Sequence, residues 1–244
     1  METPSYDKIP LQNILFLDIE TVPFVSDYEF LEGKAKEFWD KKAQQLARNE
    51  NDTPESLFPR AGIYAEFGKI VCISCGIIVQ ENNQRFLRIK SFYDDDEREI
   101  LKPFSEMLEK SFNDNSKYLC AHNGKEFDFP YIARRMLVNG IRIPEILQAS
   151  GRKPWEVRHL DTMELWKFGD YKNYTSLDLL THLFDIPSPK DDIDGSRVRE
   201  VYWYDGDLPR IAEYCQKDVA ALVNLFLRFR YESLIPQENI RFLT

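Results

Sequence analysis

The chain has no apolar run approaching the ~20 residues that a membrane span requires, and its amino-terminal METPSYDKIP lacks the basic and apolar regions of a signal peptide. The expectation is a soluble, cytoplasmic protein. Cysteine is scarce, with Cys72, Cys75, Cys120 and Cys215 in 244 residues. Without a secretory signal these read as reduced thiols, not as a disulfide framework. Histidine is scarcer still: His122, His159 and His182 have no serine or cysteine at a diagnostic spacing, which leaves nucleophilic catalysis unsupported. An excess of positive charge is also missing. The net charge of −9 argues against a protein that coats nucleic acid through accumulated Lys and Arg. It leaves room for one that holds a few nucleotides through bound metal, helped by a local pair such as Arg134-Arg135 or Arg152-Lys153. No internal repeat or low-complexity tract is present.

What the chain does have is a pair of acids in an unusual place. Asp18 and Glu20 lie inside Asn13-Ile14-Leu15-Phe16-Leu17-Asp18-Ile19-Glu20-Thr21, an apolar run that reads as a buried central strand. On a strand, side chains two residues apart share a face. Two buried carboxylates there lose solvation and raise each other's pKa, and a divalent cation removes both penalties. With 41 acidic residues in the chain, the triplet by itself proves nothing; its setting at the end of a hydrophobic strand is what distinguishes it.

The following segments spell a mixed α/β pattern. Tyr28 to Arg48 reads as an inserted helix, with apolar Phe30, Leu31, Phe38, Trp39 and Leu46, and Asn49 to Pro59 as a polar loop. The runs 69–79 and 85–92 form two β-rich segments joined by Glu81-Asn82-Asn83-Gln84, an antiparallel hairpin. Residues 97–112 carry Ile100, Leu101, Phe104, Met107 and Leu108 at helical spacing, and 118–122 is a short buried strand. A helix is expected from about Pro130, a fifth strand over 157–160, a short helix over 177–184, a loop over 186–195 and a long amphipathic helix over 207–229.

Two later segments place acids in suitable settings. In Leu119-Cys120-Ala121-His122-Asn123-Gly124-Lys125-Glu126-Phe127-Asp128-Phe129-Pro130-Tyr131, Asp128 stands just before a helix, where it could serve as an N-cap. In Glu213-Tyr214-Cys215-Gln216-Lys217-Asp218, Tyr214 and Asp218 are four apart and share a helix face.

Other patterns fail on inspection. Cys72 and Cys75 have zinc-knuckle spacing, with Cys120 and His122 as nominal completing ligands, but within one strand the first two point to opposite faces. An EF-hand register on Gly195 puts Lys190 and Val201 where carboxylate ligands are needed. Asp161 is the strongest competitor for a metal ligand.

Taken together, FLDIET, HNGKEFDFPYI and YCQKD resemble the Exo I, Exo II and Exo III motifs of the DEDD 3'-5' exonucleases, in that order. Tyrosine in the third motif indicates the DEDDy subgroup. FGKIVCISCG and SLDLLTHLFDIPSPKDDIDGS extend the likeness to the stand-alone bacterial exonucleases that resemble the proofreading domain of family B DNA polymerases, over about 13–230, with no polymerase segment attached.

The resemblance implies a ribonuclease H-like α/β fold: a central mixed sheet, its first three strands antiparallel and the later ones parallel, flanked by helices. Residues 1–244 are expected to form one exonuclease-like domain with the insertion at about 24–66. It implies Asp18, Glu20, Asp128 and Asp218 as ligands of two ions, Tyr214 as the residue that positions the attacking water, and Asn123 and Phe127 at the terminal nucleotide. The resemblance implies that the position of Asp161 is either structural or supports a metal ligand from behind. An all-oxygen donor set suits Mg²⁺ or Mn²⁺ better than zinc. The implied activity is hydrolysis of single-stranded or frayed DNA, or RNA, from the 3' end to nucleoside 5'-monophosphates. Two alternatives stand beside it. One is an exonuclease-like module that binds nucleic acid without turnover. The other is a haloacid dehalogenase-like phosphatase, suggested by DIETV but opposed by Glu20 at its second acidic position and by the expected hairpin.

Overall fold

The computed structural model describes residues 5–153, 156–170, 174–187 and 193–243. Its centre is a six-stranded sheet of order β5-β4-β1-β2-β3-β6. The strands are β1 (Ile14–Pro23), β2 (Gly68–Glu81), β3 (Gln84–Tyr93), β4 (Tyr118–Ala121), β5 (Leu160–Asp161) and β6 (Ile240–Leu243). β1, β2 and β3 pair antiparallel; β4 runs parallel to β1, β5 to β4, and β6 to β3. This is the expected mixed sheet. The β2–β3 hairpin closes through Asn82 and Asn83, both in the left-handed region (φ 48° and 63°), as a two-residue type I′ turn requires.

The helices are α1 (Gly33–Leu46), α2 (Pro54–Leu57), α3 (Glu97–Ser111), α4 (Asp128–Val138), α5 (Thr162–Lys167), α6 (Leu177–Leu183), α7 (Val198–Glu200) and α8 (Leu208–Phe229). Strand parity sets α3 and α4 on one face of the sheet and α8 on the other. Leu15, Leu17 and Ile19 of β1 pack with Ile100, Leu101 and Phe104 of α3 and Ile132 and Met136 of α4 on one face. Ile14 and Phe16 pack with Val219, Leu222, Val223 and Phe226 of α8 on the other. α8 starts cleanly because Asp207 accepts from the Arg210 amide (3.2 Å) and Pro209 occupies its first turn.

Several local expectations are corrected. Asn49–Pro59 is not simply a polar loop: Thr53 and Ser56 form a capping box that starts α2. Leu57 and Phe58 are buried with Trp39 of α1 in a separate small cluster, and the Trp39 indole N–H donates to the Pro54 carbonyl (2.8 Å). The fifth strand is Leu160–Asp161, not 157–160. His159 is withdrawn by its bond to the Ile146 carbonyl (2.8 Å) and its ring contact with Phe129 (4.2 Å). α5, α7 and β6 were not anticipated. Of the loop expected over 186–195, residues 188–192, including Lys190, Asp191 and Asp192, lie outside the described residues.

Candidate active site

The site is assembled at the point where β1 outlives its parallel neighbour. Pairing with β4 ends at Phe16 opposite Cys120, so Asp18 and Glu20 extend beyond it with β2 on one side and the start of α4 on the other. Alternation carries Ile14 and Phe16 into Asp18 and Glu20 on the α8 face. Within β2 the register opens by one residue: Glu20 pairs with Cys72 but Thr21 with Ile70, leaving Val71 as a bulge. Bulges commonly re-aim strand residues beside functional sites.

Asp128 arrives from α4. It is the first residue of that helix, not its N-cap: Phe127 holds the cap position, with no side-chain cap bond. Its carboxylate is buried and accepts from the backbone N–H of Ile19, which locks α4 onto β1. The preceding loop is fixed by Asp161, whose Oδ1 accepts from the Asn123 amide (3.0 Å) and whose Oδ2 accepts from the Lys125 amide (3.0 Å). Oδ1 also caps α5 at the Met163 amide (2.9 Å). Four backbone amides therefore occupy Asp161, a structural anchor. Gly124 is needed in this loop, since a Cβ there would lie 2.3 Å from the Ala121 Cβ.

α8 brings the remaining groups. The Tyr214 hydroxyl hydrogen-bonds to Asp218, and Cys215, on the buried side between them, places its Sγ 3.3 Å from Asp18 Oδ2. Donor atoms of Asp18, Glu20 and Cys215 lie within 4.8 Å of one another. Cys215 was not foreseen, although its place between Tyr214 and Asp218 on an amphipathic helix was a usable signal. Cys72 lies on the same side of the sheet, packed with Cys215, and Cys75 on the opposite side with α3, so the two cannot share a metal.

The charges interact strongly. Burial first, then the nearby Asp218 and Asp128, push the Asp18 carboxyl well above its ordinary range. Burial, followed by Asp18 and Asp218, does the same to Glu20. Asp128 is pushed up to about 7, chiefly by burial, against the two backbone N–H bonds that favour its ionised form. The Tyr214 phenol is raised by burial, then by Asp218, Glu20 and Asp18, and stays protonated at neutral pH. Asn123 has a left-handed backbone (φ 61°), and its Oδ1 is buried without a hydrogen-bond partner among the described residues. Phe127 is half-buried beside Tyr131 (5.4 Å), whereas Phe129 is in the core.

The Arg134-Arg135 pair does not act as a phosphate patch. Arg135 is buried and forks onto Glu97 (2.6–3.0 Å), with a further bond to the Ala65 carbonyl. Arg152 pairs with Glu145 (2.7 Å). His122 is held between the Thr162 hydroxyl (2.9 Å) and the Thr175 carbonyl (2.8 Å). The antiparallel β1–β2 pairing opposes the phosphatase alternative, whose sheet is parallel.

Residues 63–237 match the family described as predicted 3'-5' exonuclease related to the exonuclease domain of PolB. The chain belongs to this PolB-related exonuclease family. Its fold is similar to the family B DNA polymerase from the hyperthermophilic archaeon Pyrobaculum calidifontis, with a TM-score of 0.52 and 16% identity over 90% of this chain. That match covers 24% of the polymerase, so the chain spans about a quarter of it. No curated protein matches the chain. Among the described residues, no helix is long and apolar enough to cross a membrane.

Proposed function

We propose that this PolB-related exonuclease chain is a metal-dependent 3'-5' exonuclease that shortens single-stranded or frayed DNA, or RNA, to nucleoside 5'-monophosphates. The observation that carries the reading is the gathering of Asp18, Glu20, Asp128 and Asp218 around the end of β1: burial and the neighbouring site carboxylates hold Asp18 and Glu20 above their ordinary range, and burial followed by Asp161 does the same to Asp128. Such a cluster is costly as a set of bare anions, and divalent cations offset the cost. The oxygen-rich donor set fits Mg²⁺ or Mn²⁺. When bound, two such ions supply an activated water, charge neutralisation at the phosphate and stabilisation of the leaving 3'-oxygen.

The chain's own groups supply positioning. Tyr214, protonated and tethered to Asp218, orients water and does not remove its proton. Asn123 offers a buried acceptor to a sugar hydroxyl. The Phe127 ring stacks on the terminal base. Residues 1–244 act as one exonuclease-like unit, with the segment 24–66 as an insertion tied back through the Tyr131 hydroxyl, which donates to the Gly62 carbonyl (2.7 Å).

The test is gel-resolved degradation of 5'-labelled single-stranded DNA and RNA with Mg²⁺, Mn²⁺ or EDTA. A metal-dependent ladder shortening from the 3' end, absent in Asp18→Ala, is the expected result. No cleavage of either substrate by folded, metal-binding wild type would favour the non-catalytic binding module instead.

A further inference from the structure

At the far end of α8 from Asp218, a second feature has the chemistry of a nucleobase site. A cavity of about 210 Å³ is walled by Tyr6, Trp166, Phe168, Phe184, Phe229 and Tyr231. Trp166 and Phe229 lie nearly parallel (13°, centroids 6.4 Å apart), and Phe184 meets both edge-on at 5.8 and 5.6 Å. Arg228 also lines this space, and its Nε is buried without a hydrogen-bond partner among the described residues. A buried guanidinium N–H left unmade is unfavourable and calls for an acceptor.

Two aromatic side chains at this cavity are left in water. Phe168 is 91% exposed and Tyr231 fully exposed. Both sit where a helix ends, Phe168 as the C-cap of α5 and Tyr231 just past α8, and their left-handed backbones (φ 45° and 56°) turn the side chains out of the helices.

We propose that this cavity binds an unpaired base of the nucleic-acid strand, upstream of the 3' nucleotide held at the carboxylates. The proposal rests on the exonuclease reading above. A planar base presents π faces to the aromatic walls and ring or carbonyl acceptors to the Arg228 N–H. A purely apolar peptide side chain would leave that N–H unmet. Position supports the same occupant: Asp218 and Phe229 are on one helix, eleven residues apart, which separates them by roughly 16 Å. That is within reach of one single strand spanning both sites.

The experiment uses the full chain carrying Asp18→Ala, so that the strand is not shortened during measurement. Oligonucleotides with 5-iodouracil at successive positions from the 3' end are irradiated on the protein and the adducts are mapped. An internal position should cross-link to Trp166, Phe168 or Tyr231. In the same background, Phe168→Ala with Tyr231→Ala, and separately Arg228→Met, should weaken binding of a twelve-nucleotide strand by at least about fivefold. Binding of a dinucleotide, too short to reach the cavity, serves as the comparison. Because both aromatic side chains are exposed, their removal leaves the packed interior in place. Adducts confined to other surfaces together with unchanged affinity would overturn the proposal. So would a change in sedimentation coefficient without loss of strand binding, which would identify a second copy of the chain as the occupant. Wild-type cleavage with Mg²⁺ is scored separately, so failure of the exonuclease reading is distinguishable from failure of this one.

Discussion

The thiol of Cys215 donates to the Asp18 carboxylate across 3.3 Å, joining α8 to β1 where the acids gather. That bond draws the Asp18 pKa down against burial and against Asp218 and Asp128, which raise it. A hydroxyl is a stronger donor than a thiol. Cys215→Ser is expected to tighten Mn²⁺ binding at pH 6.5 and Cys215→Ala to weaken it, each by a few-fold, read by titration calorimetry. Equal affinity in both variants would show that the thiol does not tune the site.

Removing a carboxylate should abolish most turnover without unfolding the protein. Metal-assisted charge stabilisation contributes several kcal/mol in the transition state, so Asp18→Ala or Asp218→Ala should lower kcat at least about a hundredfold. Circular dichroism should stay native in both. Wild-type rates in either variant would remove that residue from the assignment.

Tyr214→Phe separates positioning from metal binding. It deletes the hydroxyl that bonds to Asp218 and keeps the ring. Slower cleavage by about ten- to a hundredfold, with Mn²⁺ affinity retained, is expected for a group that orients water. Loss of the metal signal would instead make the tyrosine a structural support of Asp218.

The metal-free protein should lose stability as pH rises. Asp18, Glu20 and Asp128 have folded-state pKa values above their unfolded ones, with Asp128 at about 7. Between about pH 4 and 7 these three carboxyls hold protons in the folded state that the unfolded chain has lost, and linkage makes stability fall with pH; His122 and His159, both lowered by burial, the latter to about 4, act with the opposite sign and offset part of that fall. In EDTA, Tm at pH 5 should exceed Tm at pH 7.5 by about 5 °C. Asp18→Asn should narrow the gap, and Mg²⁺ or Mn²⁺ should restore Tm at the higher pH. A Tm in EDTA that rises from pH 5 to 7.5 would contradict the shifts.

Arg135 is expected to matter for folding and not for substrate charge. It forks onto buried Glu97, which also accepts from the Ile70 amide (2.8 Å) and from Asn139 (2.7 Å). Breaking a buried pair from one side costs about 3–5 kcal/mol. Arg135→Ala should lower stability to urea by that order, whereas Arg134→Ala, at an exposed position, should change it little.

The sequence by itself determined what local period and spacing can encode. Alternation along β1 put Asp18 and Glu20 on one face, the four-residue step put Tyr214 and Asp218 on one helix face, and opposite parity separated Cys72 from Cys75. Each depends only on backbone geometry within one element. The order of β1 to β4 with α1, α3, α4, α6 and α8, and the antiparallel hairpin, were legible for the same reason.

Only the tertiary structure decided which of these faces meet. Cys215 beside Asp18, the Ile19 amide on Asp128, the capture of Asp161 by loop amides and the burial of Arg135 on Glu97 all join residues distant in the chain. β5 and β6 are too short to carry a period of their own and exist through pairing with β4 and β3. Asp128 became a buried helix residue, not an N-cap, because the end of β4 left the Ile19 N–H free to receive it. Spacing reports a side chain's direction, and partners and solvation are set when the layers pack.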